Sequence, residues 1–555
     1  MTNLLPLLVI PTAAVLSWPV SRLLVWALEP TPGSPAHARL ARMLARLGGR
    51  SLAVDQDWRQ YIRALLVFSA VAFATCLAIL LLQGYLPLNP DGRGALTWDL
   101  AFHTAVSFAT NTNLQHYSGE AAMSHFSQLF ALMWLQFVSA ATGLAALAAL
   151  ARGLAGRARP GNFQRDLLSG SLLVLLPIAL VTAGLLVVGG VPMTLDGAQS
   201  VTTLEGATQV IARGPVAAFV AVKQLGTNGG GFFGANSAHP FENPTAFTNV
   251  VESVAILLLP MACVWMFGAI TGRRRHAATI FAVMSVLLLV KAGAAVWTES
   301  APASALAGLP VASSGNLEGK ELRFGAGAGA AWGVLTTSTS NGSVNSMHDS
   351  FNPLTGLVAL TAMWLNVTFG GIGVGLVNMF VYIIIAVFIC GMMVGRTPEY
   401  MARKVETQEM KLALLALLIH PLLILGGTAL FASTDWGAAT VLNPGAHGFT
   451  EILYEFTSAA ANNGSGFEGL GDNTVPWNLA TALVMLLARF IPIVLPLAIA
   501  GSLARKQASP ETAGTLRTDT MLFGMVLLGI VLLVGALLFL PMAVLGPVSE
   551  HLAVR

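Results

Sequence analysis

Charge is what this chain of 555 residues has least of: only 10% of its residues are Asp, Glu, Lys or Arg, with a formal net charge of +3. Soluble domains carry about 25% charged residues, so a globule of this length could not cover itself with polar surface. With 55% hydrophobic residues and a mean hydropathy of +0.72, soluble enzymes, nucleic-acid binders and disordered scaffolds are excluded. Cysteine is scarce too. Cys76, Cys263 and Cys390 lie singly in apolar runs, without Cys-x-x-Cys spacing or a neighbouring His, and read as buried free thiols. A nucleotide-binding loop is missing: the only Gly-Lys pair, Gly319-Lys320, is followed by Glu321. No paired nucleophile and base falls within an apolar run, which argues against an intramembrane protease.

Long apolar runs are what the chain does have. A helix crosses a bilayer with about 20 mostly apolar residues, and ten such spans are expected near 5–28, 62–84, 127–150, 167–190, 251–271, 277–297, 357–395, 409–432, 477–502 and 521–546. Met-Thr-Asn-Leu-Leu at the start lacks a basic signal-peptide region, so the first run reads as a span. The first connection carries Arg39, Arg42, Arg46, Arg50, Arg59 and Arg63, and the third Arg152, Arg157, Arg159 and Arg165. Cations recur in the fifth (Arg273, Arg274, Arg275), the seventh (Arg396, Arg403, Lys404, Lys411) and the ninth (Arg505, Lys506, Arg517). Cytoplasmic loops are the basic ones, so both termini are expected outside the cytoplasm. These arginines read as orientation signals, some of them contacts for partner subunits.

The four long outward connections, about 85–126, 191–250, 298–356 and 433–476, are semi-apolar and rich in small residues. Each holds a small-residue helical stretch followed by a polar tripeptide: Thr110-Asn111-Thr112, Thr227-Asn228-Gly229, Ser340-Asn341-Gly342 and Asn462-Asn463-Gly464. Their last residues fall 117, 113 and 122 apart, which marks an internal repeat. Irregular backbone at membrane depth survives only when buried in protein or lining a watery cavity. Four such strands about one axis would offer a ring of carbonyl oxygens able to replace a cation's hydration shell. No Asp or Glu lies in any tripeptide; divalent ions favour carboxylates, so a weakly hydrated monovalent cation, potassium, fits the chemistry.

The segments Lys223–Phe233, Glu318–Gly325, Met347–Ser350, Gly395–Tyr400 and Ala461–Phe467 resemble the KdpA family, the potassium-binding subunits of the Kdp potassium-transporting P-type ATPase, and the resemblance covers essentially the whole chain. It implies an all-α polytopic fold of ten transmembrane helices: four pseudo-fourfold helix–pore loop–helix repeats with one extra helix at each end. The division it suggests is 1–60 (extra helix and cytoplasmic loop), 61–165, 166–275, 276–405 and 406–506 (the repeats), and 507–555 (extra helix). It implies a potassium filter of main-chain oxygens at Asn111, Thr112, Thr227, Asn228, Ser340, Asn341, Asn462 and Asn463. Gln115, Gly229, Gly230, Gly342 and Gly464 would support that filter. The first loop departs from the pattern, with Thr112 where the others have glycine. No resident metal beyond transported potassium, no nucleotide and no nucleic acid is implied. Partners would be KdpB-like catalytic, KdpC-like and KdpF-like subunits, with membrane lipid, in the bacterial inner membrane. The Asp-Lys-Thr-Gly segment that a P-type pump phosphorylates does not occur, so this chain would be a non-catalytic subunit. The alternative is a freestanding potassium channel or ion-coupled transporter of the same superfamily.

Arg489, near the middle of its span, is read as an ion-steering charge in the cavity below the filter; pairing with loop carbonyls is the alternative. Gly370, Gly371 and Gly373 interrupt the seventh span. They mark either close helix packing or a broken helix that gates the pore. Asn366 is neutral where some relatives are acidic. His348 and Asp349 read as structure at the outer mouth, where Asp349, Glu318 and Glu321 would add a negative field.

Overall fold

The computed structural model describes residues 5–29, 49–52, 54–302, 306, 310, 315–393, 395–510 and 516–553. Arg39, Arg42 and Arg46, invoked above for orientation, lie outside the described residues. Among the described residues nine helices are long and apolar enough to cross a membrane, or ten if the pair Met521–Gly535 and Leu537–Ala553, bent by 46°, counts as one span. Two short antiparallel hairpins, Gln199–Thr202 with Thr208–Ile211 and Glu399–Tyr400 with Arg403–Lys404, complete an otherwise helical fold.

Helix length separates the spans from what lies between them. Trp98–Ala109, Val216–Leu225, Gly325–Ser338 and Ala446–Ala461 have 12, 10, 14 and 16 residues. At 1.5 Å per residue they reach about 15–24 Å, short of the ~30 Å hydrocarbon core. Each is a pore helix that dips in and stops. The first packs on Trp58–Leu82 and on Val475–Leu503, the third on Arg274–Glu299, and the fourth between Thr407–Ala432 and Val475–Leu503. The divisions expected at 165/166 and 275/276 fall inside Phe163–Ser169 and Arg274–Glu299.

The seventh run is not one helix. Pro353–Leu365 ends where Asn366 turns left-handed (φ 45°), and Val374–Met393 starts afresh after an irregular stretch with positive φ at Phe369, Gly371 and Gly373. The N-terminal helix Leu5–Leu28 lies along Ala246–Ile270, while Met521–Ala543 packs against Arg274–Glu299, Pro353–Leu365 and Val374–Met393. The N-terminal helix thus lies against Ala246–Ile270, and the C-terminal one against helices between Arg274 and Met393.

Two readings of single residues need correction. Cys390 is partly exposed, on the outer surface of its helix, whereas Cys76 and Cys263 are buried. Arg152, read as part of the third connection, lies in the last turn of Trp134–Leu154 and is buried, reaching Asp166 at 2.6 Å, Glu29 at 2.5 Å and the Leu28 carbonyl. Tyr61 completes the network with its hydroxyl 2.9 Å from Asp166. A charge taken from water is costly unless paired, and of its partners Glu29 lies 123 residues away in sequence while Asp166 lies 14 away.

Candidate functional site: a ring of four pore loops

Where each pore helix stops, its chain makes the same local turn. The backbone N–H of Thr112 donates to Ser107 (2.9 Å), Asn228 to Lys223 (3.1 Å), Asn341 to Thr336 (3.0 Å) and Asn463 to Ser458 (2.9 Å), each reaching back five residues to cap its helix. The residue before is left-handed in every loop: Asn111 (φ 65°), Thr227 (48°), Ser340 (51°) and Asn462 (50°). The residue after is left-handed as well: Asn113 (54°), Gly229 (76°), Gly342 (74°) and Gly464 (99°).

This fourfold match corrects the register of the first loop. Asn113, not Thr112, stands where the other loops have glycine, so the repeat separation there is 116 rather than 117. Asparagine is among the few residues with a side chain that tolerate the left-handed region. Thr112 falls in line with Asn228, Asn341 and Asn463, and the four residue pairs expected at the filter are the equivalent ones.

The loops close on one another in cyclic order. A Cβ on Gly229 would sit 1.8 Å from the Asn341 carbonyl oxygen, one on Gly342 2.1 Å from that of Asn463, and one on Gly464 2.0 Å from that of Thr112. Only glycine permits these approaches. At the fourth junction Asn113 donates its amide to the Gly229 carbonyl at 3.2 Å. Side-chain amides brace the ring: Asn111 to the Thr227 carbonyl (3.1 Å), Asn341 to that of Lys223 (3.2 Å), Asn463 to that of Thr336 (3.0 Å), Asn462 to the Thr112 hydroxyl (3.0 Å), and Asn228 to Asn111. Gln115 clasps the second loop, accepting from the Gly231 N–H (2.7 Å) and donating to its carbonyl (3.0 Å). Gly230 lies against Asn113.

Four pore-helix C-termini converge on the ring, and each contributes about half a negative charge from its aligned peptide dipoles. A cation is thus favoured without a single carboxylate in the loops. Behind the second loop, buried Lys223 pairs with Glu242, whose other oxygen accepts the Phe233 N–H at 2.9 Å. Sequence reasoning missed both roles, because the Glu242 carboxylate is contributed from beyond the filter strand.

On the far side of the ring lies a cavity lined by Asn111, Ser340 and Asn462 together with Asn366, Gly371 and Arg489. Arg489 is the central residue of Val475–Leu503, buried, with its guanidinium only 3.5 Å from the Ser139 carbonyl oxygen. Among the described residues it has no carboxylate partner within ion-pair distance. The broken seventh span forms the cavity's roof beside the ring. The Ile372 N–H donates to the Thr227 hydroxyl (2.9 Å), and Ser340 donates to the Asn366 side-chain oxygen (2.8 Å). Gly371 sits under Ser340, and Gly373 abuts the Gly143 carbonyl. Buried Lys291 reaches the same segment through Thr368 at 2.9 Å. The glycine run is thus a break between two helices, and its glycines pack closely against neighbouring backbone.

His348 and Asp349 lie at the mouth, apart from the ring. The His348 ring meets the Tyr454 hydroxyl at 2.9 Å and Asp349 meets His447 at 2.9 Å; Glu318 is exposed and Glu321 pairs with Arg323.

Four re-entrant loops closed into a pseudo-fourfold ring, with a cavity beneath, define a pore-loop membrane protein. Its fold is similar to the crystal structure of the potassium transporter TrkH from Vibrio parahaemolyticus, with a TM-score of 0.53 at 13% identity over 89% of this chain and 97% of the other. Residues 7–552 match the family model KdpA, described as the potassium-transporting ATPase A subunit. Curated relatives include proteins of Flavobacterium johnsoniae (47% identical, 94% of this chain, 93% of the relative) and Geobacillus kaustophilus (48%, 92% of each). Each is named potassium-transporting ATPase potassium-binding subunit. The chain belongs to the KdpA family.

Proposed function

We propose that this chain is the potassium-binding and potassium-translocating subunit of an ATP-driven uptake pump. The observation that carries the reading is the carboxylate-free ring, with four identical helix-capping turns and left-handed residues on both sides of Thr112, Asn228, Asn341 and Asn463. In this reading, main-chain oxygens at those residues and at Asn111, Thr227, Ser340 and Asn462 replace the hydration shell of potassium. Gln115, Gly229, Gly230, Gly342 and Gly464 hold the strands at their spacing.

Potassium would enter from the outside, the side also carrying both termini, in the inner membrane of a bacterium. Having crossed the ring, it would meet the cavity governed by Arg489 and the Gly370–Gly373 segment. A KdpB-like partner would hydrolyse ATP and complete transport, with KdpC-like and KdpF-like subunits alongside. The four-repeat division with an extra helix at each end belongs to the same proposal. Membership of the KdpA family favours this pump subunit over a freestanding channel.

Gentle purification from the native membrane tests it. Potassium-stimulated ATP hydrolysis, absent with sodium and accompanied by a co-purifying phosphorylated subunit, is the expected result. A chain isolated alone that passes potassium down its gradient in vesicles would overturn the pump assignment and leave the pore.

A further inference from the structure

His116, Glu455 and Asp472 meet just beyond the ring, outside everything assigned to potassium. His116 directly follows Gln115, Glu455 stands on the fourth pore helix, and Asp472 lies in the loop after the fourth filter strand. The His116 Nε2 is 3.2 Å from a Glu455 oxygen and 3.8 Å from an Asp472 oxygen, and one donor atom from each lies within 4.8 Å of the others. Tetrahedral ions held at about 2.0–2.2 Å by nitrogen and oxygen place their ligands roughly 3.3–3.6 Å apart. The two edges from His116, at 3.2 and 3.8 Å, bracket that spacing.

The tautomer is set by a neighbour. His116 Nδ1 lies 2.7 Å from the Asn478 side-chain oxygen, and the Asn478 amide is engaged by Asp99 at 2.8 Å. Nδ1 therefore carries the hydrogen, and Nε2 points at two carboxylates with either a proton or a cation between them. A ligating histidine whose other ring N–H donates to a carbonyl oxygen is the usual supporting arrangement of metal sites. His103 is wholly buried and stacked on His116 with ring centroids 3.8 Å apart, and neither of its ring nitrogens has a hydrogen-bond partner. His116 and Glu455 are closed off from solvent, while Asp472 keeps 27% of its side chain exposed and offers access.

We propose that His116, Glu455 and Asp472 form a divalent-cation site that fastens the first filter loop to the fourth pore helix. One imidazole with two carboxylates suits a borderline ion of the zinc type; calcium and magnesium want six or more oxygens. A doubly charged ion balances both carboxylates, and a proton held on Nε2 leaves to solvent as it binds. The site is independent of the potassium reading and survives its failure.

The test uses the purified complex without a polyhistidine tag, stripped with chelator and titrated with Zn²⁺ alone. One Zn²⁺ per chain is expected, with Co²⁺ giving the visible spectrum of a four-coordinate site. His116→Gln and Glu455→Gln should abolish both signals, and Asp472→Asn should weaken binding about tenfold or more. If His116→Gln fails to assemble, Asp472→Asn, at the partly exposed ligand, decides. Absence of stoichiometric zinc in the assembled wild-type complex, or binding indifferent to these substitutions, overturns the site and leaves an imidazolium ion pair.

Discussion

Replacing Gly464 with alanine puts the ring geometry at risk in a measurable way. Gly464 has φ 99°, and a Cβ built there falls 2.0 Å from the Thr112 carbonyl oxygen. Carbon and carbonyl oxygen settle at about 3.3–3.6 Å, so the fourth and first loops must separate by more than about 1 Å. Left-handed backbone costs alanine about 1–2 kcal/mol in addition. The clashing atom is itself one of the oxygens proposed to face the ion, so relief of the contact moves a ligand rather than a bystander. A difference of about 1–2 kcal/mol between ion-bound and ion-free filters is a factor of roughly 5–30 in affinity. The assay is the potassium concentration that half-saturates ATP hydrolysis, read on complex whose subunit stoichiometry has been checked. Asn113→Gly is the matched control at the equivalent position. Its φ of 54° already suits glycine, and the change removes only the 3.2 Å bond to Gly229, worth about 0.5–1.5 kcal/mol. Wild-type half-saturation in assembled Gly464→Ala complex would refute the placement of the Thr112 carbonyl on the ion path, even if the variant melted earlier.

Arg489→Gln removes a buried cation that repels potassium by about 2–4 kcal/mol over 4–8 Å at an effective dielectric of 20; passive rubidium flux without ATP should rise at least tenfold, and Arg489→Lys should not show it. Gln115→Arg and Gly229→Arg should each weaken apparent potassium affinity with assembly intact, and affinity unchanged in both would count against the filter assignment. His447, at the outer end of the fourth pore helix, sits between Asp349 and Glu550 at 2.9 and 2.8 Å. Burial pulls its pKa down, but the two carboxylates outweigh that and raise it to about 10. Its stabilising charge is complete below the ordinary value of about 6.5 and is lost as pH climbs through about 10. Thermal stability of wild type should therefore fall across that alkaline window, and His447→Gln should flatten the fall.

How far the amino-acid sequence carried the description depended on whether a feature was local. Spans were legible because a bilayer accepts only closed hydrogen-bonding patterns of sufficient length, and pore helices because their small residues end in polar breaks. The register of the first loop is hidden in sequence because Thr110 to Asn113 is polar throughout and asparagine, not glycine, fills its left-handed position. The interruption of the seventh span was visible as glycine, yet its purpose was not, since Ile372 finds its partner at Thr227, 145 residues away. The buried pairing of Arg152 was not legible because its partner Glu29 lies 123 residues upstream. His116 and Glu455, 339 residues apart, share no signature that a linear reading could join.

Ring and cavity divide the electrostatic problem between neutral dipoles and one full charge. At the ring, helix C-termini and carbonyls attract a cation, and the side-chain amides that brace them carry no net charge. Beneath it, Arg489 is buried with only a 3.5 Å carbonyl contact for company. A buried charge left this poorly compensated is costly to the fold, and its position on the cavity wall beside Asn111, Ser340 and Asn462 gives the cost a use. In the proposed reading, an attractive ring followed at once by a repulsive wall would bind an ion without letting it run straight through. That is the behaviour required of a subunit that must hand its ion to a pump.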